Sequence, residues 1–311
     1  MLEIYKTKDN VLEELQDFEE GAWINVVEPT QEEILLLSNK LNIEEDFIKA
    51  ALDEEERARI EVDEGQTLIV VDVPFIERSE EANIYTTMPL GIILTQDATV
   101  TIALRETSIT KDFLNKRVKG FYTNFKHRFV LQILYRTAYT FLRYLRHIDR
   151  ITGRVEQELY KSMGNEELYD LMAISKSLVY FSSSLTGNEL VLEKMLKLDY
   201  IKKYPDDMEL LEDVIIENKQ AIEMTNIYSN ILGSTMDACA SIISNNLNNV
   251  MKFLTSVTIL LSIPTMVSSF YGMNVHNLPF ANNPYAFWIV MLIAVFISMG
   301  PIIYLYRRKM F

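Results

Sequence analysis

Polar and apolar positions follow three regimes along the chain. Up to about residue 125, short runs rich in β-branched and aromatic side chains are separated by turn residues, the mark of strands. Residues 23–27 (Trp23-Ile24-Asn25-Val26-Val27) read as a strand ended by Glu28-Pro29, and residues 67–75, 85–95 and 99–104 as three more. Thr30 stands where it would cap a helix beginning Gln31-Glu32-Glu33-Ile34. These elements predict a small mixed sheet with helices around it, an α/β domain over residues 1–125. From there the period becomes helical, through 129–160 and 166–200, with breaks at Gly164-Asn165 and Tyr204-Pro205-Asp206-Asp207. A helical hairpin is expected over 126–205. After Pro205 nothing stops a helix before Gly233, and an isolated glycine is tolerated. A single helix is therefore expected over 206–270, about 98 Å long at 1.5 Å per residue. Leu211, Ile215, Ile222, Ile227, Ile231 and Thr235 give it a roughly heptad contact face. A helix that long must pack in a bundle, within or between chains.

In the third regime charge disappears. Residues 253–270 are 18 uncharged positions and residues 285–306 are 22. As helices they reach about 27 and 33 Å, bracketing a hydrocarbon core of roughly 30 Å. Lys252 precedes the first stretch and Arg307-Arg308-Lys309 follow the second. By the positive-inside rule those ends are cytoplasmic, and the link 271–284, without Lys or Arg, lies outside. Both termini then face the cytoplasm. The second span is polar only at Ser298, with Trp288, Tyr304 and Tyr306 near its ends, as a lipid-facing helix should be. The first carries seven hydroxyls. At 100° per residue, Asn248, Met251, Thr255, Thr258, Ser262, Thr265 and Ser269 share an arc of roughly 100°, bordered by Leu254, with Pro264 opposite. Such a stripe either permits close helix packing or lines a water-filled path. Two spans cannot enclose a path, so the second reading demands an oligomer with the first spans innermost.

Charge sharpens the division. The 30 Lys+Arg and 44 Asp+Glu give −14 over 311 residues. Residues 251–311 hold four basic side chains and no acid, so residues 1–250 carry 26 basic against 44 acidic, or −18. An acidic body excludes nucleic acid as a partner, because phosphate binding needs a basic surface. The 49% apolar content excludes wholesale disorder. One cysteine, Cys239, excludes an intrachain disulfide and any cysteine-based metal cluster. Met1-Leu2-Glu3 opens without a basic, apolar leader, so no export signal is expected. Residues 53–59 form a charge run that reads as a solvated helix end or loop. There is no nucleophile–base pair, HExxH, Gly-rich phosphate loop or CxxC, and His127, His147 and His276 are scattered. No enzyme and no cofactor are expected.

The first span ends in Tyr271-Gly272-Met273-Asn274. A GMN tripeptide at the outer end of the penultimate of two C-terminal spans, behind an acidic body, resembles the CorA family of magnesium transporters. Asn248-Asn249-Val250-Met251-Lys252-Phe253-Leu254-Thr255 is similar to that family's approach to the pore helix. Trp23-Ile24-Asn25 with Pro29-Thr30, and the run DEEERARIE at 53–61, are similar to its N-terminal features. The resemblance covers essentially the whole chain. It implies a funnel-shaped homopentamer in the plasma (inner) membrane: an α+β cytoplasmic domain, a long stalk helix and two C-terminal transmembrane helices. Five first spans would line the path and five second spans surround them. The Tyr271–Asn274 loop would form the outer selectivity ring. Asn248, Met251, Leu254, Thr258, Ser262 and Thr265 would line the path, with Met251 and Leu254 as its apolar constriction. The partners implied are copies of the chain itself, lipid and divalent cations; magnesium is the transported ion, with cobalt or nickel as further cargo. In the family, magnesium bound between cytoplasmic domains also holds the pore shut. Asp213 matches one carboxylate of that regulatory site and Asp237 another nearer the membrane. The neighbouring subunit's acids would fall at Lys49-Ala50, which cannot coordinate a cation, so either Asp53 and residues 54–56 substitute or the site is missing or rebuilt. His276 follows GMN where an acid often stands, and Pro264 sits one residue from the family's usual proline. Two alternatives are a zinc transporter of the ZntB type and a membrane-anchored scaffold without transport.

Overall fold

The computed structural model describes residues 1–63, 65–78, 83–162, 165–198, 204–274, 278–280 and 283–307. Gly164, His276, Arg308 and Lys309, singled out above, lie outside them. The chain divides into two compact units, Met1–Met236 and Asp237–Phe311.

The first unit is built on one seven-stranded sheet. Its strands are β1 (Leu2–Lys8), β2 (Val11–Leu15), β3 (Ala22–Val27), β4 (Arg59–Asp63), β5 (Gln66–Arg78), β6 (Asn83–Leu94) and β7 (Ala98–Ala103), in the order β2-β1-β3-β7-β6-β5-β4. Every neighbouring pair is antiparallel except β3 and β7, which run parallel with Trp23 opposite Thr99 and Val26 opposite Ile102. The sheet is mixed, as the pattern predicts. Helices cover both faces. On one, α1 (Gln31–Leu41) and α2 (Glu45–Ala50) bury Leu37 and Phe47 against Ile24, Val26, Val70 and Val100. On the other, α3 (Ser108–Leu114), α4 (Lys126–Ser162) and α5 (Asn165–Met195) bury Phe113, Phe129 and Val191 against Trp23, Ile69, Val71 and Ile92. Both faces of the central strands β3 and β7 are buried, and their polar residues Asn25, Thr99 and Thr101 are buried with them.

Thr30 caps α1 through a capping box: its Oγ1 accepts from the Glu33 N–H at 3.3 Å, and Glu33 Oε2 accepts from the Thr30 N–H at 2.8 Å. At the centre of the second core, Trp23 is fully buried, with the rings of Tyr5, Phe113, Phe121 and Phe129 at 5.2–6.1 Å. Its Nε1–H donates to Thr101 Oγ1 at 2.8 Å, and Thr101 donates on to Asn25 Oδ1 at 3.1 Å. Buried Asn25 therefore costs little, since its carbonyl is satisfied.

Three strands lie beyond the pattern-based reading. β1 and β2 are half-polar strands (LEIYKTK, VLEEL) with β2 at one edge of the sheet, and β4, the other edge, opens at Arg59 inside the charge run. Residues 53–58 ahead of it form turns, as expected of a solvated run.

Gly91 on β6 faces Ala51, the fully buried C-cap of α2, and a Cβ there would overlap the Ala51 Cβ. Gly91→Ala is expected to destabilise the first unit by about 1–3 kcal/mol through overpacking. A lower urea midpoint with unchanged slope would register it.

α6 (Pro205–Tyr271) is one continuous helix carrying Pro264 within it, and Gly233 does not interrupt it. Its second half, from Asp237, and α7 (Ala286–Arg307) lie in the second unit. Their most apolar windows average hydropathies of 1.7 and 2.4, yet only 6% and 11% of those windows are buried. Core helices of a soluble domain would be largely buried, so these two need an apolar covering from outside the chain.

Candidate functional site

The hydroxyl stripe of α6 is exposed along its whole length: Asn248, Met251, Leu254, Thr255, Thr258, Ser262, Thr265 and Ser269 all face away from the rest of the chain. The other side of the helix is marked by half-buried Leu260, Ile263 and Val267 and fully buried Ser256. On α7, Ala294, Ser298 and Leu305 are likewise buried. The stripe therefore lies off the side of α6 that is buried within the chain.

Four of the stripe's five hydroxyls are committed as donors. Thr255 Oγ1 donates to the Met251 carbonyl at 2.7 Å, Thr258 to Leu254 at 2.8 Å, Ser262 to Ile259 at 2.9 Å and Thr265 to Leu261 at 2.8 Å. Each has spent its proton on the helix's own backbone, the usual habit of hydroxyls on apolar helices. What remains to face outward is oxygen lone pairs. An array of acceptors suits ligands that present protons, such as the waters around a metal cation.

α6 ends at Tyr271, and the chain leaves it gradually. The Gly272 N–H donates to Ser268 O at 2.9 Å and the Met273 N–H to Phe270 O at 3.4 Å, the latter at the edge of hydrogen-bond range. Gly272, Met273 and Asn274 stand exposed just past the helix end.

The acidic candidates are apart. Asp213 and Asp237 are exposed on α6, in the first and second unit respectively. Asp53 is exposed in the turn before β4, where its Oδ1 accepts from the Glu55 N–H at 3.0 Å. Lys49 pairs with Glu45 at 2.7 Å, which raises its pKa, and Ala50 is buried in the core. Neither supplies a ligand. Among the described residues, no three His, Cys, Asp or Glu side chains gather to hold a metal ion.

Asp213 also borders a cleft of about 580 Å³ between α4 and the first turns of α6, whose far wall carries Arg117, Lys119, Arg128 and Arg136. Sequence reasoning missed this grouping, because the four cations come from a loop and one helix. Only the eight-residue spacing of Arg128 and Arg136, two turns along one face, hints at it.

An acidic α/β body, one helix running from it into an apolar pair, and an exposed hydroxyl stripe on the first member of that pair are the marks of a membrane protein. The family follows from comparison with known proteins. A sequence model described as CorA-like Mg2+ transporter protein matches residues 18–307, and the chain belongs to the CorA family. It is 31% identical over 292 residues to the cobalt/magnesium transport protein CorA of Methanocaldococcus jannaschii, covering 92% of this chain and 90% of that relative. It is 23% identical over 304 residues to the magnesium transport protein CorA of Campylobacter jejuni subsp. jejuni, with the same coverages. The complete structure of the CorA magnesium transporter from Methanocaldococcus jannaschii superposes with a TM-score of 0.83 at 29% identity, over 99% of this chain and 98% of that one. These relatives are named as transporters, not enzymes.

Proposed function

We propose that this protein is a channel-like transporter that admits magnesium, and cobalt as a second cargo, across the plasma membrane. The observation that carries the reading is the exposed stripe of α6, apolar only at Met251 and Leu254 and otherwise made of hydroxyls and one amide that offer acceptors outward. Its relatives' names point the same way. Five copies place their stripes about a common axis, with both termini in the cytoplasm and the second spans outside. Asn274 forms a ring at the outer mouth. Magnesium dehydrates reluctantly and keeps several waters. Neutral amide carbonyls accept hydrogen bonds from those waters without stripping them, and release the ion sooner than carboxylates would. Rings of Met251 and Leu254 close the path by dewetting.

The driving force is the membrane potential. A divalent ion crossing 100 mV gains about 4.6 kcal/mol, twice the roughly 2.3 kcal/mol of a single charge. Regulation follows from the acidic body: several copies at −18 each repel one another, and cytoplasmic magnesium bound between them relieves the repulsion and holds the path shut. Asp213 and Asp237 are the stalk ligands of this proposal. With Lys49 tied to Glu45 and Ala50 buried, exposed Asp53 is the acid a neighbouring copy contributes. Hard oxygen donors favour magnesium over zinc, which imidazole and thiolate suit better.

The test is flux into liposomes that hold the purified protein, with an imposed inside-negative potential and a panel of divalent ions. Magnesium uptake that grows with the potential is expected. Absence of uptake for every ion would leave a scaffold whose spans merely pack, and preference for zinc would move the chain to the ZntB type.

A further inference from the structure

The cleft between α4 and α6 is bipolar. One wall carries Arg117 and Lys119, which follow α3, with Arg128 and Arg136 of α4. The other carries Asp206, Glu209 and Asp213, three and four residues apart on one face of α6. At one end the walls meet, where Arg128 lies 3.7 Å from Asp206. Four cations in one place are unexpected in a body where 44 acids outnumber 26 bases. The basic wall is also built. Gln132 Nε2 donates to Gly120 O at 3.3 Å, tying the segment that holds Arg117 and Lys119 to α4. Arg136 is fixed by Asp112 at 3.0 Å and by the face of Tyr139 at 5.8 Å. Arg117 reaches the same Asp112 at 3.2 Å, so one carboxylate serves two guanidiniums.

A ligand that meets both walls must carry both signs. The volume, about 580 Å³, lies within the range of small-molecule sites and far exceeds a single ion. Guanidiniums match phosphate oxygens in bidentate fashion. Magnesium is commonly held by one or two carboxylates, through retained waters, together with the phosphates of a bound molecule. Tyr135 and Leu210 add flat and apolar surface between the walls, suited to a ring. The geometry points to a binding site for a magnesium-chelated nucleotide: its phosphates lie against Arg117, Lys119 and Arg136, and its hydrated ion faces Asp206 and Glu209. Nothing in this assignment requires an ion to cross a membrane, so it stands or falls apart from transport.

The experiment is calorimetric titration of the full-length protein in detergent with ADP. In excess magnesium, saturable binding is expected; with a chelator in place of magnesium it weakens, and inorganic phosphate with magnesium binds more weakly than ADP. Arg117→Glu with Lys119→Glu alters two exposed side chains, so the fold is expected to survive, verified by an unchanged melting temperature. That double variant should lose about tenfold or more in affinity, the worth of one or more charged hydrogen bonds. No saturable heat from magnesium–ADP, or equal affinity in the double variant, overturns the site. Equal affinity with the chelator overturns the role of the metal, and phosphate binding as tightly as ADP overturns the nucleotide.

Discussion

Asn274→Ala is expected to cut magnesium flux about a hundredfold or more while leaving the folded protein intact. The side chain is exposed just beyond the end of α6, so truncating it creates no cavity and strands no core partner. Its loss is felt only by what arrives at the mouth. Each amide that accepts from a coordinated water contributes about 0.5–1.5 kcal/mol net, and a five-fold ring multiplies the deficit to several kcal/mol. Asn274→Asp is the informative companion. A carboxylate ring binds the ion more tightly and releases it more slowly, so flux should fall while the concentration needed for half-saturation also falls. Both are read from initial uptake rates in liposomes. Unchanged rates in the alanine variant would remove the ring from the mechanism.

Trp23→Ala is expected to cost the first unit about 3–5 kcal/mol, a large part of the stability of an ordinary domain. Four aromatic rings converge on the indole, and none can close the gap without leaving its own neighbours, since Phe113, Phe121 and Phe129 also contact one another at 4.6–5.1 Å. The substitution also strands Thr101, which loses the donor it accepts from. A thermal melt by circular dichroism should show the first unit unfolding well below the parent. Trp23→Phe keeps most of the volume but not the N–H, so it isolates the cost of the missing hydrogen bond.

Much of this architecture is legible in the sequence because its signals are long and regular. The expected helix over 206–270 agrees within a residue at each end with Pro205–Tyr271, and the apolar stretch 285–306 with Ala286–Arg307. Proline and charge set those limits sharply. The strands at residues 23–27 and 67–104 are marked by β-branched runs buried on both faces. The N-terminal hairpin is not, because β1 and β2 mix charged with apolar side chains and are only partly buried. Of the candidate site, the stripe on α6 follows from spacing alone, but the buried face does not: only the fold reveals that Ser256, rather than the stripe, is enclosed. The acids are legible as charges and illegible as a site, because one chain does not bring Asp53 to Asp213. The basic wall opposite Asp213 leaves almost no trace, since Arg117 and Arg136 meet only when the segment after α3 folds back onto α4.

The hydroxyls of α6 give up their hydrogens inside the helix, and this has a consequence for discrimination by sign. Chloride or free phosphate approaching Thr255, Thr258 or Thr265 finds electron pairs opposed to its own, without any fixed negative charge to trap a cation that passes. Neither serine nor threonine ionises near neutrality, so this preference is indifferent to the acidity of the medium on either side. On the proposed path, rejection of anions along that stretch would rest on main-chain bonding rather than on any ionisable group.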